Sequence, residues 1–204
     1  MNCDSMMIKA VVFDYNGVCT KEGTFEKIVQ EYAYRQGKDQ QKLSDLVKEY
    51  WDLARVGIIE SMKFWQSVSL FLEYNPLQLR REWIDAFGFR DELMPKIKAL
   101  RENGYKIGLL TNGIKDWMEE AITQHNLNSQ FDAMVTSYNL GIAKPDPKAF
   151  YALTQELNVN PHECIYIDDQ TKNITAAEKL GFKAILFTSI HELENELLTF
   201  GVYF

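Results

Sequence analysis

Five short apolar runs recur along the chain, and stretches of helical periodicity separate most of them. Each run is nearly continuous and rich in β-branched residues, which is typical of strands buried on both faces of a sheet. The predicted strands are Ile8–Phe13, Ile107–Leu110, Ala133–Thr136, Cys164–Ile167 and Ala184–Phe187.

Helical patterns alternate with the later runs. Gly104 and Gly181 lie just past two of them, where a left-handed helix C-cap is favoured. Strands and helices that alternate in this way predict an α/β fold with a doubly wound parallel sheet. The predicted helices are Leu93–Asn103, Lys115–Asn126, Pro147–Leu157 and Asn173–Leu180.

The segment from Thr24 to Phe89 differs because it contains no strand-like run. Tyr, Trp, Phe and Leu recur there at helical spacing, which predicts the core of a small helical bundle, although one or two aromatic side chains could instead face a substrate. We therefore predict a helical domain at residues 20–89, inserted after the first strand of a core domain formed by residues 1–19 and 90–204. The helices are Phe25–Gly37, Gln41–Val56, Ser61–Leu72 and Leu77–Ala86, and the repeated spacing is seen in Ile58, Met62, Trp65 and Ser69.

Length and charge restrict the possible functions. The 204 residues suffice for one well-packed domain with a modest insertion. A formal charge of -7 argues against a nucleic-acid partner, because an acidic surface repels phosphate backbones. An anionic substrate would therefore need local help from backbone amides, a lysine or a metal.

Several sequence features favour a cytoplasmic protein without a membrane partner. The N-terminal segment has no signal-peptide pattern, and no apolar run is long enough to cross a bilayer. Cys3, Cys19 and Cys164 are odd in number and lack metal-site spacing, which favours reduced thiols. The oligomeric state has no signature in the sequence.

Candidate chemistry lies where predicted strands end, which is where open α/β sheets place their sites. Asp14 follows the first run, and a carboxylate there is costly unless it is paired, although it could simply cap the next turn. Thr111 precedes Asn112 and Gly113, and its hydroxyl with two free backbone N–H groups could hold phosphate oxygens. The same tripeptide is also an ordinary helix-entry turn.

Two further clusters add charge. Lys144 precedes a proline that disfavours helix and helps to fix the loop, although most lone lysines are solvated. Asp168 and Asp169 end the fourth run, where adjacent carboxylates repel each other unless a cation neutralises them. Oxygen ligands without histidine or cysteine suit a hard metal such as Mg²⁺.

The four clusters occur in a defined order along the chain. They are Asp14-x-x-Gly17, Thr111-Asn112-Gly113, Lys144-Pro145-Asp146-Pro147 and Asp168-Asp169. In this order the chain resembles the haloacid dehalogenase-like (HAD) hydrolase superfamily over nearly its whole length. The helical insertion resembles that family's small α-helical cap. The stretch from Gly57 to Trp65 resembles the cap of sugar-phosphatase-like members related to the N-terminal domain of soluble epoxide hydrolase.

This resemblance implies a Mg²⁺-dependent phosphatase of a small phosphorylated metabolite, such as a sugar phosphate. Asp14 would attack phosphorus and form an aspartyl-phosphate, which water then hydrolyses. The resemblance assigns Mg²⁺ to the Asp14 carboxylate, the backbone carbonyl of Asn16 and Asp168. Asp169 would orient a metal-bound water.

The resemblance also assigns Thr111, the Asn112 amide and Lys144 to the phosphoryl oxygens, in keeping with the charge compensation that phosphoryl transfer requires. One position departs from the family pattern. Phosphatases of this family usually carry a second Asp as acid and base two residues after the nucleophile, where this chain has Asn16. Because an amide cannot move a proton usefully, slow turnover is expected.

Two alternatives remain open at the level of sequence. A 2-haloacid dehalogenase also uses an Asp nucleophile and lacks the second Asp, but such enzymes need no metal and generally lack a pair like Asp168-Asp169. A non-catalytic binding protein could have kept the fold after losing the acid. Against it, a disused site has no reason to keep Asp14, Lys144 and Asp168 together.

Overall fold

The computed structural model describes residues 7–203, and its five strands form one parallel sheet. The strand order is β3-β2-β1-β4-β5, which confirms the predicted doubly wound α/β architecture. The strands are β1 (Ala10–Phe13), β2 (Lys106–Thr111), β3 (Ala133–Thr136), β4 (Cys164–Asp168) and β5 (Lys183–Leu186).

Ten helices connect and flank the strands in the described part of the chain. Five of them lie between β1 and β2, and the other five follow β2. They are α1 (Glu26–Arg35), α2 (Gln40–Ala54), α3 (Ser61–Leu72), α4 (Pro76–Phe87), α5 (Met94–Glu102), α6 (Lys115–Gln124), α7 (Ser137–Leu140), α8 (Pro147–Leu157), α9 (Thr171–Lys179) and α10 (Ile190–Thr199).

The two faces of the sheet belong to separate apolar cores because successive side chains of a strand point to opposite sides. On β1, Val11 and Phe13 pack with α5, α6 and α10. Ala10 and Val12 on the same strand pack with α8 and α9. Burial on both faces explains why the strands appear in the sequence as continuous apolar runs.

The helices α1 to α4 form a third apolar cluster that is rich in aromatic rings. Its largest fully buried side chains include Trp65 and Trp83. Phe25, just before α1, has five ring neighbours at centroid distances of 4.9 to 6.1 Å. These neighbours are Trp51, Phe64, Trp83, Phe87 and Trp117.

A backbone bridge and an apolar contact are among the connections between the helical insertion and the sheet unit. Thr20 and Phe89 form an isolated antiparallel bridge, so the chain leaves the sheet unit and returns to it at one point. In addition, Ile114 and Trp117 at the start of α6 are buried in the aromatic cluster of the insertion. The apolar core of the insertion therefore continues into the sheet unit.

Most predicted helices agree with the structure to within a few residues. The prediction that the positions of the repeated spacing, Ile58, Met62, Trp65 and Ser69, belong to the core of the insertion is wrong for two of the four. Trp65 and Ser69 are buried, whereas Ile58 is 69% exposed and Met62 is at the surface. Ile58 lies in the loop before α3 begins at Ser61, so it does not share the register of that helix. Helix α10 has no counterpart among the predicted segments.

The predicted glycine caps are in the left-handed region, with φ +88° at Gly104 and +93° at Gly181. Cys19 and Cys164 are buried free thiols, and Cys3 lies outside the described residues. Between residues 7 and 203, no helix combines the length and apolarity needed to span a membrane.

Candidate active site

The candidate site lies at the carboxyl edge of the sheet, where the chain changes direction across it. From β1 the chain winds through β2 and β3 on one side and then returns to β4 and β5 on the other. Such a switch point opens a crevice beyond the strand ends. Asp14 follows β1, Thr111 ends β2 and Asp168 ends β4, so the parallel sheet brings these side chains to one edge.

Lys144 lies between two of the predicted carboxylates. Its Nζ is 2.7 Å from Asp14 Oδ1 and 2.8 Å from Asp168 Oδ2. The lysine side chain is only 1% exposed. Burial disfavours its charge, but the two carboxylates outweigh that cost and raise the pKa of Lys144. The lysine predicted from its position before a proline is therefore a buried, doubly paired cation.

Asn112 directly follows β2, and its side chain holds the backbone of Lys144. Its Nδ2 donates to the Lys144 carbonyl at 3.0 Å, and its Oδ1 accepts from the Lys144 N–H at 2.9 Å. The Lys144–Pro145 peptide bond is cis. Because the Asn112 side chain forms both bonds, it fixes the loop from which Lys144 reaches the carboxylates.

Asp168 is held by residues that the sequence did not single out. The Tyr166 hydroxyl donates to its Oδ2, and Asn173 Nδ2 lies 3.0 Å from both carboxylate oxygens. The Gln170 N–H donates to Oδ1 at 2.8 Å. Tyr166 precedes Asp168 by two positions on β4, which places both on one face of the sheet, and this spacing is the signal that could have identified it.

The two carboxylates bound to Lys144 differ in their protonation equilibria. Burial raises the pKa of Asp14 to about 8, with Lys144 opposing this shift and Asp168 adding to it. At Asp168 burial acts in the same direction, but Lys144 and the hydrogen bonds from Tyr166 and Gln170 outweigh it and lower the pKa. A further cation beside Asp14 would therefore favour its ionised form.

Asp169 completes a cluster of three carboxylates. One oxygen from each of Asp14, Asp168 and Asp169 lies within 4.8 Å of the others. The backbone at Gly17 and Gly23 passes close to the Asp169 side chain. A Cβ atom on Gly17 or Gly23 would lie only 2.2 or 2.1 Å from Asp169 Oδ2, so a larger residue would not fit at either position. We call Asp14, Lys144, Asp168 and Asp169 the carboxylate cluster.

Several buried oxygens at this edge have no hydrogen-bond partner among the described residues. They include Asp169 Oδ1, Asn16 Oδ1 and Thr111 Oγ1. Unsatisfied buried oxygens are rare in folded proteins and require an explanation. One of them belongs to Asp169 of the carboxylate cluster, and a donor set composed of oxygen atoms suits a hard divalent cation.

One predicted feature of the Thr111 turn is wrong. The sequence suggested that the backbone N–H groups of both Asn112 and Gly113 would be free, but the Gly113 N–H donates to Ser137 Oγ at 3.2 Å. Ser137 follows β3, which pairs with β2 and places the hydroxyl next to this turn. The Thr111 hydroxyl itself is buried and unpaired.

A cavity of about 370 Å³ lies between the carboxylate cluster and the helical insertion. Of the predicted site residues, Asp14, Asn16, Asn112 and Lys144 line it. The insertion contributes aromatic and charged side chains to the opposite side, namely Phe25, Lys48, Trp51, Asp52, Arg55 and Phe87. The site is thus large enough for more than a phosphate group.

Known proteins resemble this chain over most of its length. A phosphatase from Mycobacterium tuberculosis is 28% identical over 203 residues, which covers 89% of this chain and 88% of that protein. An (S)-2-haloacid dehalogenase from Burkholderia cepacia is 24% identical over 194 residues, covering 87% and 82%. One of these relatives is thus named a phosphatase and the other a dehalogenase.

The fold also agrees with that of a solved HAD family enzyme from Bacteroides thetaiotaomicron, with a TM-score of 0.76. The match covers 94% of this chain and 98% of that chain at 19% identity. At this identity the likeness shows the fold alone. The sequence profile described as haloacid dehalogenase-like hydrolase matches residues 8–181, and this chain therefore belongs to the haloacid dehalogenase-like hydrolase family.

Proposed function

We propose that this hydrolase is a Mg²⁺-dependent phosphatase of small phosphorylated metabolites and that Asp14 is its nucleophile. The observation that carries the proposal is the carboxylate cluster, in which Lys144 bridges Asp14 and Asp168 and Asp169 lies next to them. Two buried carboxylates and the half-buried Asp169 with one lysine leave excess negative charge, which a divalent cation would balance. A metal-independent dehalogenase has no need of such a set.

The residues present suit Mg²⁺. Its ligands would be the Asp14 carboxylate, the Asn16 backbone carbonyl and Asp168, while Asp169, whose Oδ1 has no partner, would orient a bound water. When bound, the ion would neutralise phosphoryl oxygens and favour ionised Asp14. The Bacteroides thetaiotaomicron neighbour was crystallised in complex with magnesium and inorganic phosphate.

The side chains of the site supply the remaining chemistry. A carboxylate oxygen of Asp14 bonds to phosphorus as the ester P–O bond breaks, and the leaving oxygen takes a proton from solvent, since Asn16 cannot donate one. Water then attacks phosphorus and releases phosphate and Asp14. The charge on the phosphoryl oxygens would be compensated by Lys144, by the unpaired Thr111 hydroxyl and by the backbone N–H of Asn112.

Asn16 limits this chemistry because its amide neither donates nor accepts a proton usefully at neutral pH. Its side-chain oxygen is buried and has no hydrogen-bond partner among the described residues. A positioned acid or base typically contributes about 10²- to 10⁴-fold in rate. Slow turnover on esters with poor leaving groups follows from its absence.

The helical insertion would act as the cap over the phosphate site. We take residues 20–89 as this domain and residues 1–19 with 90–204 as the core domain. The bridge between Thr20 and Phe89 supports these boundaries, since both crossings of the chain lie side by side there. Residues of the insertion line the cavity opposite Asp14 and are therefore in a position to select the substrate.

Phosphate release from a panel of small phosphate esters, measured with Mg²⁺ and with EDTA, tests the proposal. We expect release that requires Mg²⁺ and that Asp14→Asn lowers by at least about 10³-fold. Asp45→Asn is the matched control. Its carboxylate is exposed on α2 and accepts a hydrogen bond from Gln41 at 2.9 Å, so its loss should leave the rate unchanged.

Two results would contradict the phosphatase proposal. Halide release from 2-chloropropionate that persists in EDTA would identify a haloacid dehalogenase, the activity named for the Burkholderia cepacia relative. If folded protein is inactive in both assays, a non-catalytic binding role is the better interpretation.

A further inference from the structure

The wall of the cavity opposite Asp14 carries charged side chains from one face of helix α2 and from Arg55, the residue that follows the helix. Lys48, Asp52 and Arg55 line the cavity and are spaced four and three positions apart, so they form one row along the helix. Across the cavity Lys172 adds a third cation. We call Lys48, Asp52 and Arg55 the basic wall, because two cations there share one carboxylate.

Arg55 is only partly paired within this wall. Its Nη2 is 2.7 Å from Asp52 Oδ1, while its Nε is buried and has no hydrogen-bond partner among the described residues. Asp52 is shared, because its other oxygen lies 2.9 Å from Lys48 Nζ. The guanidinium therefore retains donor capacity and positive charge beside a cavity.

The backbone of Arg55 is tied to the turn that carries Thr111 and Asn112. Ser137 Oγ donates to the Arg55 carbonyl at 2.5 Å and also accepts from the Gly113 N–H at 3.2 Å. One hydroxyl thus links the end of α2 to the Thr111 turn. This link fixes the backbone from which the Arg55 side chain extends, relative to the Thr111 turn.

We propose that Arg55 determines specificity by binding a second anionic group of the substrate, at the end remote from the transferred phosphate. The inference rests on the proposed phosphatase function and names its substrate class, a phosphate ester that also carries a carboxylate or a second phosphate. A guanidinium binds either group through paired N–H donors. The local cations also offset the repulsion expected from a protein of net charge -7.

Paired substrates test this proposal in Mg²⁺-loaded, full-length enzyme. 3-Phosphoglycerate and glycerol 3-phosphate differ in a carboxylate, and fructose 1,6-bisphosphate and fructose 6-phosphate differ in a second phosphate. We expect kcat/KM to favour the member with the second anion in at least one pair. The pair that responds tells whether the second group is a carboxylate or a phosphate.

Arg55→Gln should raise KM for the preferred substrate about 10- to 100-fold, the loss expected for a hydrogen bond to a charged group, and leave kcat nearly unchanged. Its kinetics on the partner lacking the second anion should not change. Arg55→Lys should recover part of the affinity, because it keeps the charge but loses the paired donors. Comparing two substrates on one variant separates this effect from loss of folded enzyme.

Arg80→Gln is the matched control. Arg80 also reaches from the insertion to the sheet unit, where its Nε is 2.7 Å from Asp116 Oδ2, but it does not line the cavity. This substitution should leave the ratio between paired substrates unchanged. The proposal is overturned if wild-type enzyme hydrolyses both members of each pair equally, or if Arg55→Gln affects them equally. If no ester releases phosphate with Mg²⁺, the phosphatase assignment itself fails.

Discussion

The carboxylate cluster and the basic wall face each other across one cavity and contain ion pairs of the same length. Lys144 Nζ lies 2.7 Å from Asp14, and Arg55 Nη2 lies 2.7 Å from Asp52. Their exposure differs, since the side chains are 1% and 6% exposed in the first pair but 23% and 38% exposed in the second. The two regions therefore differ in the burial of their ion pairs and not in the length of those pairs.

This difference in burial gives the two regions different physical properties. A buried ion pair must retain both partners, because removal of one leaves an uncompensated charge in a medium of low polarity. A partly exposed pair is weakened by water and can exchange its partner at small cost. The arrangement suits a rigid reaction centre opposite a wall that accommodates the variable part of a substrate.

Removing one lysine from each region should reveal the largest difference in stability between them. Lys144→Met should destabilise the fold by about 3–5 kcal/mol, since Asp14 and Asp168 would lose their shared cation. Lys48→Met should cost only ~0–1 kcal/mol, because its pair with Asp52 is exposed. Urea unfolding in EDTA measures both changes.

The stability of the Lys144→Met variant should also depend on pH. Without Lys144, the folded-state pKa values of Asp14 and Asp168 should lie above their unfolded values, because burial then acts without compensation. A carboxyl group with a raised folded-state pKa contributes stability at low pH that is lost as the pH rises. The deficit of Lys144→Met should therefore be larger at pH 8 than at pH 5, and equal deficits would contradict the assigned role of burial.

Tyr166→Phe tests the support of the carboxylate cluster with a smaller change. It removes the buried hydroxyl that donates to Asp168 and should cost ~1–3 kcal/mol of stability. It should also raise the Mg²⁺ concentration needed for half-maximal activity, because Asp168 would be held less firmly. Tyr105→Phe is the control, since that exposed hydroxyl donates only to the Gly201 carbonyl at 3.4 Å. An unchanged Mg²⁺ requirement would make Tyr166 a packing residue alone.

The smallest expected effect lies in the loop that follows the basic wall. Ile58→Ala should change the free energy of unfolding by no more than about 0.5 kcal/mol, because the side chain is 69% exposed. Trp65→Ala, from the same apparent stripe, should cost ~3–5 kcal/mol, because the ring is fully buried. Similar losses in the two variants would show that Ile58 packs against the insertion after all.

Local pattern was sufficient to predict most elements of the fold. The strands could be read because burial on both faces demands continuous apolar residues, and Pro147–Leu157 was predicted with the bounds that the structure shows. Prediction failed at Ile58, because helical spacing in a sequence does not say where the helix begins, and at Met62, which lies within α3 but at the surface. Helix α10 lies beyond the last predicted strand and was not recognised.

At the site, the sequence by itself determined which chemistry-bearing residues exist and in what order they follow the strands. The parallel sheet then brings Asp14, Thr111 and Asp168 to one edge, which follows from strand direction alone. Only the tertiary structure decided that Asn173 holds Asp168, and that Arg55 lines the cavity. These contacts join residues from separate elements, and their distances depend on packing that no local pattern records.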